Sequence, residues 1–271
     1  MKELQQTVKE ASMVLVGIGL EFEQSTKDLC RDSFLEALSE KSAGQPDEQL
    51  IRQYMQYYCL SRNPDSKIVQ AYDFLEEILR DKNYFIVSLS TDDLIFSSKL
   101  KRENIVAPCG GYRAFQCECR AGEDSLLEDR KGLEDFLCSM ENAGGDWRKV
   151  RFPSCSICGK PLWFNQISTP GYQEVGYLKQ WERYTLWLQG TLHKELCILE
   201  LGVGMEYPQV IRFPFEKVAF FNRKAHFFRI HSKLYHLTEE LKERGVSIPR
   251  NPVDFLWEMS HRNEENYDSD Y

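Results

Sequence analysis

Four cysteines in two tight pairs constrain this chain more than any other feature. Cys117 and Cys119 form a Cys-x-Cys pair, and Cys155 and Cys158 form a Cys-x-x-Cys pair followed by Gly159. Such pairs suit one tetrahedral zinc ion, each turn offering two thiolates and the glycine letting the backbone wrap the metal; the alternative is four unrelated free cysteines. The chain between them must leave that point and return to it, so residues 116–163 read as one small zinc-binding module. Four protein ligands leave no open coordination position, and the expected zinc is structural. Nine cysteines are an odd number, and the leading MKELQQTVKEAS lacks the apolar stretch of a signal peptide. These features argue against a disulfide framework and for a cytoplasmic protein.

The formal net charge of −8 and the pI near 5.3 exclude a general nucleic-acid binder, which needs a basic surface. No apolar run reaches the roughly 18 residues of a membrane span.

The remainder reads as α/β. Residues 2–11 predict an amphipathic helix. The apolar run 13–16 predicts a strand that opens into Gly17-Ile18-Gly19. Glycines at that point suit either a phosphate-binding turn or a tight strand-to-helix turn without a ligand. Residues 23–81 read as a helical insertion of three helices. Leu29, Phe34, Leu35 and Leu38 share one face, as do Leu50, Ile51, Met55, Tyr58 and Cys59, and then Ile68, Ala71, Phe74, Leu75 and Ile78. The stripe Tyr54, Tyr57 and Tyr58 either lines a pocket or packs on the sheet.

Residues 84–87 predict a strand covered on both faces, and the polar residues 88–93 lie at its carboxyl end, where ligands bind in open α/β sheets. A short strand at 104–106 leads to Cys109-Gly110-Gly111. An acidic helix is expected over 126–140, and another over 177–189 with Leu178, Trp181, Tyr184, Thr185 and Leu188 inward. The strand at 196–201 opens into a second Gly-x-Gly, Gly202-Val203-Gly204. A helix from about residue 208, a strand at 226–230 ending at His231, an edge strand at 246–248, a helix at 251–259 and a disordered acidic tail from 261 complete the reading. The whole is a Rossmann-like parallel sheet with an inserted helical module and a small zinc module. Its parts are 1–22, 82–115 and 164–260 for the sheet, 23–81 for the helices, 116–163 for zinc and 261–271 for the tail.

This order of features resembles the sirtuins, NAD-dependent protein deacylases and ADP-ribosyltransferases. The likeness is carried by YFIVSLSTDD, GGYRAFQC, CSICGKPLWFN and ELGVGMEYPQVIRFPFEKVAFFN, and is nearest to the microbial macrodomain-linked branch. The resemblance implies NAD in the cleft between the two modules and a protein acceptor or partner subunit. It implies Gly17 and Gly19 at the pyrophosphate, Gly202 and Gly204 under the adenosine ribose, and His231 near the adenosine. Asp92 falls beside the nicotinamide end, Ser90 at the position of a ribose-holding asparagine, and Cys109 at that of the catalytic histidine or glutamine. Glu21 stands where a pyrophosphate is expected, and must be paired or turned away to admit one. A thiol is a poor base, so Cys109 is either a nucleophile or a small residue that fits. The implied function is NAD-dependent ADP-ribosyl transfer or deacylation. The alternatives are a catalytically inactive module that senses a nucleotide or binds a protein, and a redox switch through Cys109.

Overall fold

The structure is a computed structural model and describes residues 2–25, 47–120 and 122–267. The expected helix face at Leu29, Phe34, Leu35 and Leu38 lies outside the described residues. Helix α1 (Lys2–Glu10) buries Leu4 and Val8 and leads into β1 (Met13–Ile18), every residue of which is buried. Val14, Val16 and Ile18 face one hydrophobic cluster while Met13 and Leu15 face another, as the two-residue period of a strand dictates. A strand covered on both faces has no polar side to spare, which is why the run reads as continuously apolar.

β1 is central in a six-stranded sheet. Its partners are β2 (Asn83–Ser88), β3 (Ile105–Val106), β7 (Leu196–Leu201), β8 (Ala225–Ile230) and β9 (Gly245–Ile248), in the order β3-β2-β1-β7-β8-β9. All pairings are parallel. The chain winds outward one way through β2 and β3 and the other way through β8 and β9. The reversal falls between β1 and β7, and in doubly wound sheets such a switch opens a crevice at the strands' carboxyl ends.

The two described helices of the insertion pack on different layers. Helix α3 (Ser66–Leu79) buries Ile68, Ala71, Phe74 and Leu75 against the sheet, beside α7 (Pro252–Tyr267). Helix α2 (Glu48–Arg62) instead packs on the small module, an antiparallel sheet of β5 (Leu126–Leu127), β4 (Gly110–Gln116) and β6 (Trp163–Gln166). Tyr54 is the reason. Its ring is fully buried at 4.8–5.0 Å from Phe136, Phe152 and Phe164, and its hydroxyl donates to the Leu162 carbonyl at 2.9 Å. Buried aromatics with a satisfied polar tip dominate such interfaces. Tyr58 and Cys59 are only half-buried, and Leu60 is buried instead.

Other differences have local causes. Residues 126–127 pair with Phe115 and Gln116 as β5, and α4 (Arg130–Asn142) begins only where Asp129 accepts the Gly132 amide at 2.8 Å. In α5 (Val175–Gln189), Leu178 and Thr185 are exposed; Tyr177, Trp181, Tyr184 and Leu188 make the inward stripe. Helix α6 spans Arg212–Phe221, with residues 208–211 forming a turn before it. Helix α7 runs to Tyr267, since neither glycine nor proline interrupts residues 261–267. The expected disordered tail is therefore helical for most of its length.

Candidate functional site

Cys117 and Cys119 follow β4, and Cys155 and Cys158 precede β6, so pairing of these two strands brings the knuckles together. The sulfur of Cys117 lies 3.4 Å from that of Cys119 and 3.5 Å from that of Cys158; Cys119 and Cys155 are also 3.5 Å apart. All four ligand atoms fall within 4.8 Å of one another. Four sulfurs bonded at about 2.3 Å would stand roughly 3.8 Å apart, so the donor set is compatible with one tetrahedral zinc. Gly159 takes φ = 70°, and the amides of Cys158 and Ile157 point at the Cys155 sulfur, bringing that thiol down to about 6.

The polar end of β2 forms a second constellation. Asp92 is buried, and Oδ1 accepts from Ser90 Oγ at 2.8 Å and the Leu94 amide at 2.9 Å, while Oδ2 accepts from the Gln24 amide at 2.8 Å. Ser90 is thus committed to Asp92. Burial raises the Asp92 pKa and the three donors oppose the rise. Asp93 takes the left-handed conformation at φ = 61° and accepts the Tyr112 amide. Burial pushes its carboxyl up to about 7 against the pull of Arg113. Gly111 is required here: a Cβ would stand 2.3 Å from Asp93 Oδ1.

A cavity of about 470 Å³ opens at this end of the sheet, lined by Leu20, Glu23, Thr91, Asp92, Tyr112 and Gln166 among others. Glu23 Oε1 accepts the Thr91 amide at 3.2 Å and the Thr91 hydroxyl. Burial raises the Glu23 pKa, Thr91 opposes the rise, and the charge on Asp92 adds to it. Gln166 also lines the cavity, and its Oε1 accepts from Gln53 Nε2 at 3.2 Å, which also donates to Thr169 Oγ1 at 2.6 Å. Thr169 in turn donates to the Phe164 carbonyl at 2.7 Å, which fixes the direction of the chain. Gln166 is 4% exposed, and its side-chain amide acts as a donor toward the Tyr112 hydroxyl. A larger cavity, about 790 Å³, adjoins this one through Asp92, Leu60 and Tyr112.

Cys109 is buried in the hydrophobic cluster with Val87, Leu89 and Val106, and burial pushes its thiol up to about 12, with the Glu23 charge adding to the shift. The thiol is protonated at neutral pH. Its carbonyl accepts the Ile167 amide at 2.9 Å, so Cys109 and Gln166 lie on paired backbone.

The four glycines are close-packed. A Cβ on Gly17 would stand 2.5 Å from Ile211, one on Gly19 would stand 2.0 Å from the Gly202 carbonyl oxygen, and one on Gly204 would stand 2.2 Å from the Glu206 carboxylate. A Cβ on Gly202, which takes φ = 68°, would stand 2.6 Å from the Glu21 Cβ. None of the four glycines, nor His231, lines either cavity. Glu21 turns toward the end of β8, accepting the Ser232 amide at 3.0 Å and the Ser232 hydroxyl. His231 Nδ1 lies 3.1 Å from Glu21, but it already accepts the amides of Lys233 and Leu234 at 3.1 Å. Those two donors mark Nδ1 as the unprotonated nitrogen, so Ser232 is the partner that holds Glu21. Burial lowers the His231 pKa, consistent with a neutral ring.

Asp92 and Ser90 come together as a pair, Cys109 is buried in the hydrophobic core, and Gly17, Gly19, Gly202, Gly204 and His231 lie at the carboxyl ends of β1, β7 and β8, outside both cavities. The residues not singled out by the sequence reading are Glu23, Gln24, Tyr112, Gln53 and Gln166; Asp93 it held only within the polar run 88–93. The five come from segments distant from Asp92 in the chain or carry no local pattern, and the fold brings them to the site.

A parallel six-stranded sheet with a four-cysteine module defines the class of protein as Rossmann-like α/β. Solved structures narrow this to the sirtuin fold. A Sir2 homologue in complex with NAD aligns over 98% of this chain and 94% of its own, at a TM-score of 0.54 and 12% identity. A Sir2 enzyme bound to a propionylated peptide aligns over 97% and 98%, at 0.52 and 12%. Among curated proteins, a protein ADP-ribosyltransferase from Staphylococcus aureus is 23% identical over 194 residues, covering 68% of this chain and 58% of that protein. A probable bifunctional ADP-ribose hydrolase/ADP-ribosyltransferase from Fusarium oxysporum f. sp. cubense is 29% identical over 143 residues, covering 49% of this chain and 23% of that protein. The chain therefore spans less than two thirds of either relative. No family model matches it.

Proposed function

We propose that this chain binds NAD in the crevice of its sirtuin fold and transfers ADP-ribose to a protein acceptor. The observation that carries this reading is the polar cavity of about 470 Å³ at the carboxyl end of the sheet. Its volume is that of a small-molecule site, and its lining combines the fixed Asp92 and Glu23 carboxylates with the buried Gln166 amide. The ADP-ribosyltransferase names of both curated relatives and the peptide and NAD complexes among the solved neighbours support it. In this reading Asp92, oriented by Ser90 and two amides, faces the nicotinamide end. Gly17, Gly19, Gly202 and Gly204 let backbone approach the remainder of the nucleotide, with His231 at its adenosine end. Cys109 packs in the core without taking a proton. NAD supplies an electrophilic ribose carbon when bound; the chain's part is to bind, orient and exclude water. Cys117, Cys119, Cys155 and Cys158 hold zinc, which shapes the small module and performs no step. Free thiols outside that cluster, such as Cys109 and Cys197, fit a cytoplasmic location. Nicotinamide release from NAD, followed with wild type and Asp92→Ala, tests the reading. Release that falls at least tenfold in the variant supports it, and background release from wild type with every candidate acceptor refutes it.

A second reading has its own observation. The Glu21 and Glu206 side chains occupy the spaces that Gly202 and Gly204 leave. Carboxylates there oppose a pyrophosphate, which favours a non-enzymatic nucleotide-sensing or protein-binding module. That reading requires Asp92→Ala to leave cellular function unchanged.

A further inference from the structure

The larger cavity does not end at Asp92 and Tyr112. It shares Arg102, Arg113, Gly176 and Gln180 with a third cavity of about 420 Å³, so the two form one groove that leads from the 470 Å³ cavity past the first turn of α5. Two guanidiniums meet in the shared part, and one residue brings them there. The Arg113 guanidinium carbon stands 3.4 Å from the centroid of the Phe96 ring, while Arg102 Nη2 donates to the Phe96 carbonyl at 3.2 Å. A stacked guanidinium spends its face on the ring and keeps its N–H edge for an acceptor. The compensation that the chain itself offers is thin. Asp93 Oδ1 lies 3.7 Å from Arg113 Nε, beyond hydrogen-bond length, and the Asp93 carboxylate already accepts the Tyr112 amide. Among the described residues Arg102 has no carboxylate within 4 Å, nor have Arg130 and Arg183, which line the groove on either side of the pair. Glu103 and Glu128 also border it, without an ion pair to any of these arginines. Burial lowers the Arg113 pKa, Asp93 opposes the fall and the Arg102 charge adds to it, as expected of two like charges awaiting an anion.

The same groove carries Leu126 and Leu127 of β5 and Leu133 of α4. A lone phosphate would use the arginines, leave the leucines bare and fill a small part of the space. An acidic peptide in extended form uses both, its carboxylates on the guanidinium forks and its aliphatic side chains on the leucines. We propose that this groove docks an acidic segment of the protein acceptor, with Arg102 and Arg113 holding its carboxylates and Leu126, Leu127 and Leu133 covering its apolar residues. That the segment belongs to the acceptor rests on the transfer reading above, because the groove meets the 470 Å³ cavity at Leu60, Asp92 and Tyr112. The affinity for an acidic peptide does not depend on it.

The test is calorimetry on the full chain without NAD, with a peptide of Glu-Glu-Leu repeats as the probe and its Gln-Gln-Leu counterpart as the control. Wild type is expected to bind the acidic peptide at least about tenfold more tightly than the control, and more weakly as salt rises. Arg102→Gln and Arg113→Gln should each lose about tenfold, the worth of a charge-assisted hydrogen bond. Arg102 is exposed, so its variant should melt with wild type and still read the groove if loss of the Phe96 stack unfolds the other. Lys224→Gln, which makes the same change of net charge just before β8, should bind the peptide as wild type does. Equal binding of the two peptides, or binding unmoved by Arg102→Gln, overturns the proposal. Displacement of the peptide by inorganic phosphate or ADP-ribose at micromolar concentration overturns it too, because the arginines would then serve a phosphate. Nicotinamide release is followed separately with candidate acceptors. Background release from a chain that binds the peptide sinks the transfer reading, and with it the assignment of the segment to an acceptor, but not the groove. Transfer that Arg102→Gln leaves undiminished would show that the acceptor does not dock there.

Discussion

Replacing Arg229 by methionine should remove between 3 and 5 kcal/mol of stability at pH 7 and much less at pH 5. Arg229 is 1% exposed and Glu200 is fully buried. Its Nε donates to Glu200 Oε2 at 2.6 Å, Nη2 to Glu200 Oε1 at 3.2 Å and to Glu216 at 2.7 Å, and Nη1 to the His236 carbonyl at 2.7 Å. The pair joins β7 to β8 immediately before Gly202 and His231. Without the Arg229 guanidinium, Glu200 loses its hydrogen-bonded partner and keeps only the more distant attraction of Arg212, so its least costly escape is to take up a proton. With an ordinary carboxyl pKa of about 4.3, protonation at pH 7 costs about 3.7 kcal/mol, and at pH 5 about 1 kcal/mol. The sign follows from linkage: the variant's Glu200 has a folded pKa above its unfolded value, so the variant regains stability as pH falls toward 4.3. Urea denaturation of wild type and variant at both pH values measures the difference, and Glu200→Leu combined with Arg229→Met should recover most of it. A penalty equal at pH 5 and pH 7, or below about 1 kcal/mol at pH 7, would refute the reasoning.

Three other outcomes follow from the site. Cys155→Ser should bind less than one zinc per chain by elemental analysis and expose the Tyr54 cluster to protease, whereas wild type carries one equivalent. Asp93→Asn should be more stable than wild type at pH 8, on the order of 1 kcal/mol, with the gain vanishing toward pH 5. Burial pushes the Asp93 carboxyl up to about 7, so its contribution is lost as pH rises through that value; a gain independent of pH would contradict this. Cys109, with its thiol pushed up to about 12, should react with iodoacetamide at pH 8 far more slowly than free cysteine, and equal labelling would restore the redox-switch reading.

The sheet was legible because β1, β2, β7 and β8 are buried on both faces, and such strands leave an uninterrupted apolar run. The zinc-type module was legible because ligand spacing is local. Helix α2 misled because the sequence fixes which of its faces is apolar but not which layer that face meets; Tyr54 chose the small module through Phe136, Phe152 and Phe164, residues more than 80 positions away. The tilt of the α5 stripe away from Leu178 and Thr185 likewise depends on Phe85 packing against Tyr184 at 5.5 Å. At the site, Asp92 and Ser90 announced themselves as a polar end to a buried strand. Glu23 and Gln166 did not, because they come from segments 143 positions apart and only the fold brings them to one cavity. The direction of Glu21 was decided by Ser232, on a turn 211 positions later.

Isothermal titration of the zinc-loaded chain with NAD, then with ADP-ribose, tests the central claim most directly. Micromolar binding, about −8 kcal/mol, weakened by Asp92→Ala, is the result the account predicts. No heat from either ligand up to millimolar concentration would contradict it, and would mean that Glu21 and Glu206 close the glycine turns to a nucleotide.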